Sequence, residues 1–279
     1  MTSIFDFLGE PFDLLLYQRA LLATLVIGFA NGYTSAFVLL HRSPLKLTAL
    51  SHSLLPGIAF AAWFVGLGVA SAFVGSVVTA LAIGGLTLLL SQKTRVSDDT
   101  VLAVLYTGAF ALGIIVLNKI GAAQELDHWL LGNILGLSDV DLWMSFIVGV
   151  ISVAVLTLFQ RAILLTLFEP QVARSLGVPV KALHYGLFAL LIFVLVTTLQ
   201  AVGCILAIGL IVTPAATVRP FTNSARTLFL ASGLLGALAS ALGLWLSYRF
   251  DQPAGASIVV TLSACYLASA LFSFLKRGA

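Results

Sequence analysis

Long apolar runs broken by short charged clusters set the pattern of this chain. Uncharged intervals fall at residues 20–41, 47–92, 100–118, 142–160, 182–218, 227–248 and 252–275. A helix that crosses a bilayer needs about 20 predominantly apolar residues. Five of these intervals hold one such helix each. The interval 47–92 holds two, with a break near Gly66 to Ser71, and 182–218 holds two tight crossings that turn near Gln200 to Gly203. The pattern predicts an all-α, polytopic transmembrane bundle of nine spans, or eight if one member of the tight pair only re-enters. No strong internal repeat, low-complexity tract or separate soluble domain is visible, so one transmembrane domain is expected over residues 1–279.

Composition agrees. The chain is 60% hydrophobic and 9% charged, against about 25% charged for a soluble domain, and its mean hydropathy is +1.11. With the loop at 41–46 in the cytoplasm, eleven Lys and Arg residues fall inside and three (Arg19, Lys119 and Arg249) outside. That asymmetry predicts an external N-terminus and a cytoplasmic C-terminus. No basic block favours nucleic acid, and no basic stretch before Arg19 suggests a cleaved secretory signal. Cys204 and Cys265 lie in separate apolar runs without CxxC spacing and read as small core residues.

Against this background His52 stands out. It lies in the run from Leu47 to Gln92, which holds no Asp, Glu, Lys or Arg. Such an imidazole is either a packed neutral ring or a ligand facing a water-filled path, and intramembrane ionisable groups default to the second reading. Thr48 and Ser51 share its helix face. Pro56 and Gly57 follow one turn later, where a helix can hinge. Pro214, in VGCILAIGLIVTPAATVRP at 202–220, is a second candidate hinge. Gly28 and Gly32 form a GxxxG on the first span, read as packing within the bundle.

Two loops carry further signals. The external loop 118–141 holds Glu125, Asp127, His128, Asp139 and Asp141 against Lys119. It is either a solvated acidic loop or a cation-attracting mouth, with Asp127 and His128 as weak metal ligands. The internal loop holds FEPQVARSLGVPVK at 168–181. Glu169 stands at a helix start, Pro170 suits its first turn, Gly177 suits a left-handed stop and Pro179 forbids continuation. A helix this short gains little by forming alone and suits docking to a partner; the alternative is an ordinary linker helix. No phosphate-binding GxxxxGK[ST] loop and no HExxH occurs, so any ATP chemistry belongs to another chain and no enzyme activity is expected.

Four segments taken in order carry a resemblance. They are the stretch from Glu10 to Gly57 ending in TALSHSLLPG, then LDHWLLGNILGLSDVDLW, EPQVARSLGVP and VGCILAIGLIVTPAATVRPFT. Together they resemble the membrane permeases of bacterial metal-uptake ABC importers, the zinc, manganese and iron group. The resemblance implies a multi-pass protein of the bacterial plasma membrane, paired with a second copy or a sister permease. It implies a cytoplasmic ATPase dimer, an external or periplasmic metal-binding protein, and a transported divalent ion with no tightly bound cofactor. It implies that residues 168–179, with Glu169, Pro170, Ala173 and Gly177, form the helix that couples to the ATPase. It also implies a metal station on the second span, written DALSHA in the family. Here the string is TALSHS, and neutral Thr48 stands where an Asp is expected. Three accounts follow: His52 holds the ion with water and carbonyls, a partner supplies the carboxylate, or the cargo is a chelate. A stand-alone secondary transporter is the reading from another class.

Overall fold

The computed structural model describes residues 15–41, 44–66, 68–94, 96–122, 132 and 134–278. In chain order its helices are α1 (Leu15–Leu40), α2 (Pro44–Val65), α3 (Val69–Lys93), α4 (Asp98–Lys119), α5 (Asp139–Leu158), α6 (Gln160–Phe168), α7 (Pro170–Ser175), α8 (Val180–Val202), α9 (Cys204–Val218), α10 (Ala225–Phe250) and α11 (Ala254–Gly278). Short 3-10 turns occupy Ile134–Gly136 and Arg219–Phe221. No strand occurs among the described residues.

The helices begin and end where the sequence supplies the chemistry. Ser97 opens α4 by accepting a hydrogen bond from the Thr100 amide, and Ser224 opens α10 by accepting from Thr227. At α5, Ser138 and Asp141 close a reciprocal capping box. Among the described residues eight helices are long and apolar enough to cross a membrane, among them both members of the tight pair, α8 and α9 with its 3-10 extension. α2 is 22 residues long, and its described apolar part, Ser51–Val65, is the shorter remaining candidate. Each of the nine expected spans thus corresponds to a helix.

The bundle is built around α1, which packs on α10, α9 and α5. α2 sits against α3 and α4, α8 touches α3, α5 and α9, and α11 covers α9 and α10. Between helices already in lipid there is little hydrophobic drive, so close packing and polar contacts must hold them. The α1–α10 crossing does this with glycine: a Cβ on Gly236 would lie 2.2 Å from the Gly28 carbonyl oxygen, and one on Gly32 would lie 2.3 Å from that of Ser232. The GxxxG of the first span is therefore a seam within the bundle, as read from sequence.

Polar ties reinforce α1. The Asn31 amide nitrogen donates to Thr198 Oγ1 of α8 at 2.9 Å. The Tyr33 and Thr157 hydroxyls bond at 2.8 Å. Ser35 Oγ accepts from the Ala215 amide of α9 at 3.0 Å. Pro214, the residue before, lies inside α9 and is buried, so a side chain of α1 serves the helix where proline disturbs its ladder. Pro56 likewise lies inside a continuous α2. Gly57 there makes a close approach to α3, since a Cβ on it would lie 2.2 Å from the Gly75 carbonyl oxygen.

Gly236→Val forces α1 and α10 apart. A loss of about 1–3 kcal/mol is expected from overpacking a close crossing, read as a lower thermal midpoint and a broadened size-exclusion profile in detergent. Parental stability would show that this crossing does not organise the bundle.

Candidate functional site

His52 lies on α2 one turn after Thr48, and both side chains are half-buried while Ser51 between them is buried. The imidazole faces α4 and α9. Tyr106 stacks on it with ring centroids 6.3 Å apart, and Phe110 meets it edge-on at 5.7 Å. Across from these rings, Cys204 Sγ of α9 lies 3.8 Å from His52 Nδ1. The helical path thus brings together an imidazole and a thiol 152 residues apart.

Cys204 reaches this position because the chain turns sharply just before it. Gly203 has φ +82 and separates α8 from α9, a left-handed value that side-chain-bearing residues rarely adopt. α9 proper has 15 residues, a rise of about 22 Å, short of a hydrocarbon core of about 30 Å. Val202, Gly203 and Cys204 are all buried, so protein covers the break between the two helices.

The acids of the 118–141 segment divide. Asp139 pairs with Arg19 at 3.3 Å, and Asp141 accepts from Ser138 in the α5 cap, so both have structural roles. Asp127 and His128 lie outside the described residues. Among the described residues, no group of three or more His, Cys, Asp or Glu is arranged to hold a metal ion.

At the opposite end of the bundle, α7 has the punctuation read from sequence. Pro170 occupies its first turn, with Glu169 at the cap position. Its stop is a Schellman motif: Gly177, at φ +79, donates to the Arg174 carbonyl at 3.0 Å, and the Val178 amide donates to that of Ala173 at 2.9 Å. Ala173 is fully buried against the bundle. Phe168 at the end of α6, Val172 within α7 and Leu176 just past it are 64%, 43% and 69% exposed. Nearby, His41 and His184 approach with ring centroids 5.7 Å apart. They line a cavity of about 180 Å³ together with Asp98 and Thr166.

Sequence reasoning singled out His52 and the α7 segment, and it took Cys204 for a core residue. The thiol is indeed buried; what spacing along the chain could not reveal is that its sulfur meets the imidazole. The one available signal was its place immediately after the predicted corner at Gly203.

A bundle of membrane-crossing helices, with a histidine held at a broken-helix corner and a short helix at one end, defines a multi-pass membrane transport subunit. The model of the ABC 3 transport family matches residues 13–273, and the chain belongs to that family. It is 36% identical over 276 residues to the manganese import system permease protein ScaB of Streptococcus gordonii, covering 98% of each chain. It is 33% identical to the chelated iron transport system membrane protein YfeD of Yersinia pestis, covering 99% of this chain and 92% of that one. Among solved structures it matches PsaBC from Streptococcus pneumoniae in complex with Fab, with a TM-score of 0.85 and 33% identity over 96% of this chain and 95% of that one.

Gly177→Val places a β-branched residue in the left-handed region, at a cost of about 1–2 kcal/mol. Faster tryptic cleavage after Arg174 is expected; an unchanged cleavage rate would show that the Schellman stop does not hold α7.

Proposed function

We propose that this chain is the permease of an ATP-driven importer for divalent metal ions of the zinc, manganese and ferrous iron group. Nucleotide hydrolysis resides on a separate cytoplasmic ATPase dimer. The relatives named above as manganese and iron transport proteins support the cargo class. The single observation that carries the reading is the half-buried imidazole of His52 at a broken-helix corner within a membrane bundle. An ionisable ring set there has little purpose unless something hydrophilic passes it.

In this reading an external binding protein delivers the ion to the outer side, and His52 holds it briefly within the permease pair. A second copy or a sister permease completes the path. The exposed apolar side chains of Phe168, Val172 and Leu176 dock into the ATPase, and ATP-driven movement of residues 168–179 rocks the spans. The ion leaves past the cavity lined by His41, His184, Asp98 and Thr166. With this orientation the C-terminus is cytoplasmic. Asp127 and His128 serve as weak outer ligands, and Pro56, Gly57 and Pro214 take up the change in helix geometry. The neutral Thr48 favours a second reading, transport of a metal chelate. Competition between free zinc, manganese or ferrous iron and their chelates separates the two.

His52→Ala is expected to abolish metal uptake by the assembled transporter in proteoliposomes without altering its assembly. Unchanged uptake overturns the station. Glu169→Lys, which reverses the charge at the α7 start, is expected to remove both uptake and the binding-protein-stimulated ATPase rate. A stimulated rate equal to the parent's overturns the coupling role.

A further inference from the structure

We propose that Cys204 is the second metal ligand of the His52 station, and that it makes the permease prefer zinc and ferrous iron over manganese. This inference rests on the metal-permease reading above and deepens it. The observation is the separation of 3.8 Å between Cys204 Sγ and His52 Nδ1. A metal held by a thiolate at about 2.3 Å and an imidazole nitrogen at about 2.1 Å, at a near-tetrahedral angle, sets the sulfur and nitrogen on the order of 3.6 Å apart. The pair already stands near the spacing that a shared ion requires. In the metal-free site the same contact is a weak hydrogen bond between thiol and imidazole, whose direction depends on the ring tautomer.

The rest of the site agrees. Thr48, on the same face as His52 one turn earlier, is neutral and supplies no charge. Carboxylates elsewhere do not make up for it, since no cluster of three ligating side chains occurs among the described residues. Tyr106 presents its ring to the imidazole, whereas Cys204 presents a ligating atom to the ring nitrogen. When a divalent ion arrives, the sulfur–hydrogen bond is exchanged for a sulfur–metal bond, and the proton passes to water in the path. When the ion leaves inward, the thiolate takes a proton back. No oxidant or reductant enters. Two protein ligands leave the remaining positions to water, which suits a station that must release what it binds.

The chemical consequence is selectivity. Thiolate is a soft ligand that favours zinc and tolerates ferrous iron, whereas manganese prefers carboxylate, carbonyl and water oxygen. His52 alone, or His52 with a hydroxyl, discriminates less.

The test uses a Cys265→Ser background, which leaves Cys204 as the sole thiol. Full-length permease in lipid nanodiscs is loaded with cobalt(II) as a spectroscopic probe. A thiolate-to-cobalt charge-transfer band in the near ultraviolet is expected, and Cys204→Ser removes it. In proteoliposomes carrying the whole transporter, Cys204→Ser is expected to lower the zinc-over-manganese uptake ratio about tenfold, the lower end of what disturbing a metal ligand shell costs. Cys204→Asp moves the ratio further toward manganese. A Cys265→Ser protein that binds cobalt without the band, or an unchanged ratio in Cys204→Ser, overturns the thiolate assignment. If His52→Ala still abolishes uptake in those same preparations, the station stands and only the thiolate role falls. If His52→Ala transports normally, the metal-permease reading itself falls.

Discussion

Everything in this bundle depends on two backbones being allowed to touch. The α1–α10 crossing at Gly28, Gly32 and Gly236 leaves no room for a β-carbon on either side. In water, apolar side chains would be driven together regardless of such detail. In lipid the surrounding chains are as apolar as leucine, and only close fit and hydrogen bonds distinguish one helix pairing from another. The crossing fixes α1, and α1 fixes its neighbours through Asn31 to α8, Tyr33 to α5 and Ser35 to α9.

Those ties explain how a buried polar site is tolerated. α9 carries a proline in its interior and begins at a left-handed glycine. A helix with two such faults is a poor element by itself. It is held from one side by Ser35, which takes up the Ala215 amide, and from another by Ser269 of α11, which donates to the Thr217 carbonyl at 2.7 Å. Neighbouring helices thus supply partners that α9 cannot find within itself. The start of α9 is thereby positioned, and the Cys204–His52 contact is a consequence of that positioning more than of any local propensity.

Much of this was legible in the sequence because the bilayer imposes one simple length rule. The run from residue 47 to 92 breaks at Gly66, and the run from 182 to 218 turns at Gly203, where glycine punctuation implied. Gly177 ends α7 in the left-handed conformation, and Pro179 follows two residues later. What the sequence did not disclose is partnership. Gly28 announced a close contact, but nothing near it named Gly236 as the other side. Asp139 and Asp141 read as part of a charged mouth because their partners, Arg19 and Ser138, are a matter of folded geometry. Cys204 was invisible for the same reason. A cysteine in an apolar run has no periodicity that distinguishes packing from ligation, and only the corner at Gly203 turns it toward His52.

The two sides of the site belong to elements with different attachments, and that difference bears on transport. His52 sits in mid-α2, clasped between α3 and α4. Cys204 follows α8 directly, across one glycine, and α8 is a single helix of 23 residues whose far end touches α7. That helix is about 34 Å long at 1.5 Å per residue. A push on α7 therefore has a stiff element along which to reach Gly203. Gly203 is the break between α8 and α9 there, and Cys204 lies immediately beyond it. A shift of even one ångström at that break changes a 3.8 Å separation enough to make or break a shared coordination geometry, because metal–ligand distances are tolerated only within about 0.2 Å. Ligands on separately anchored helices can thus be assembled in one state and parted in another, which a pair on a single helix cannot do without unwinding it.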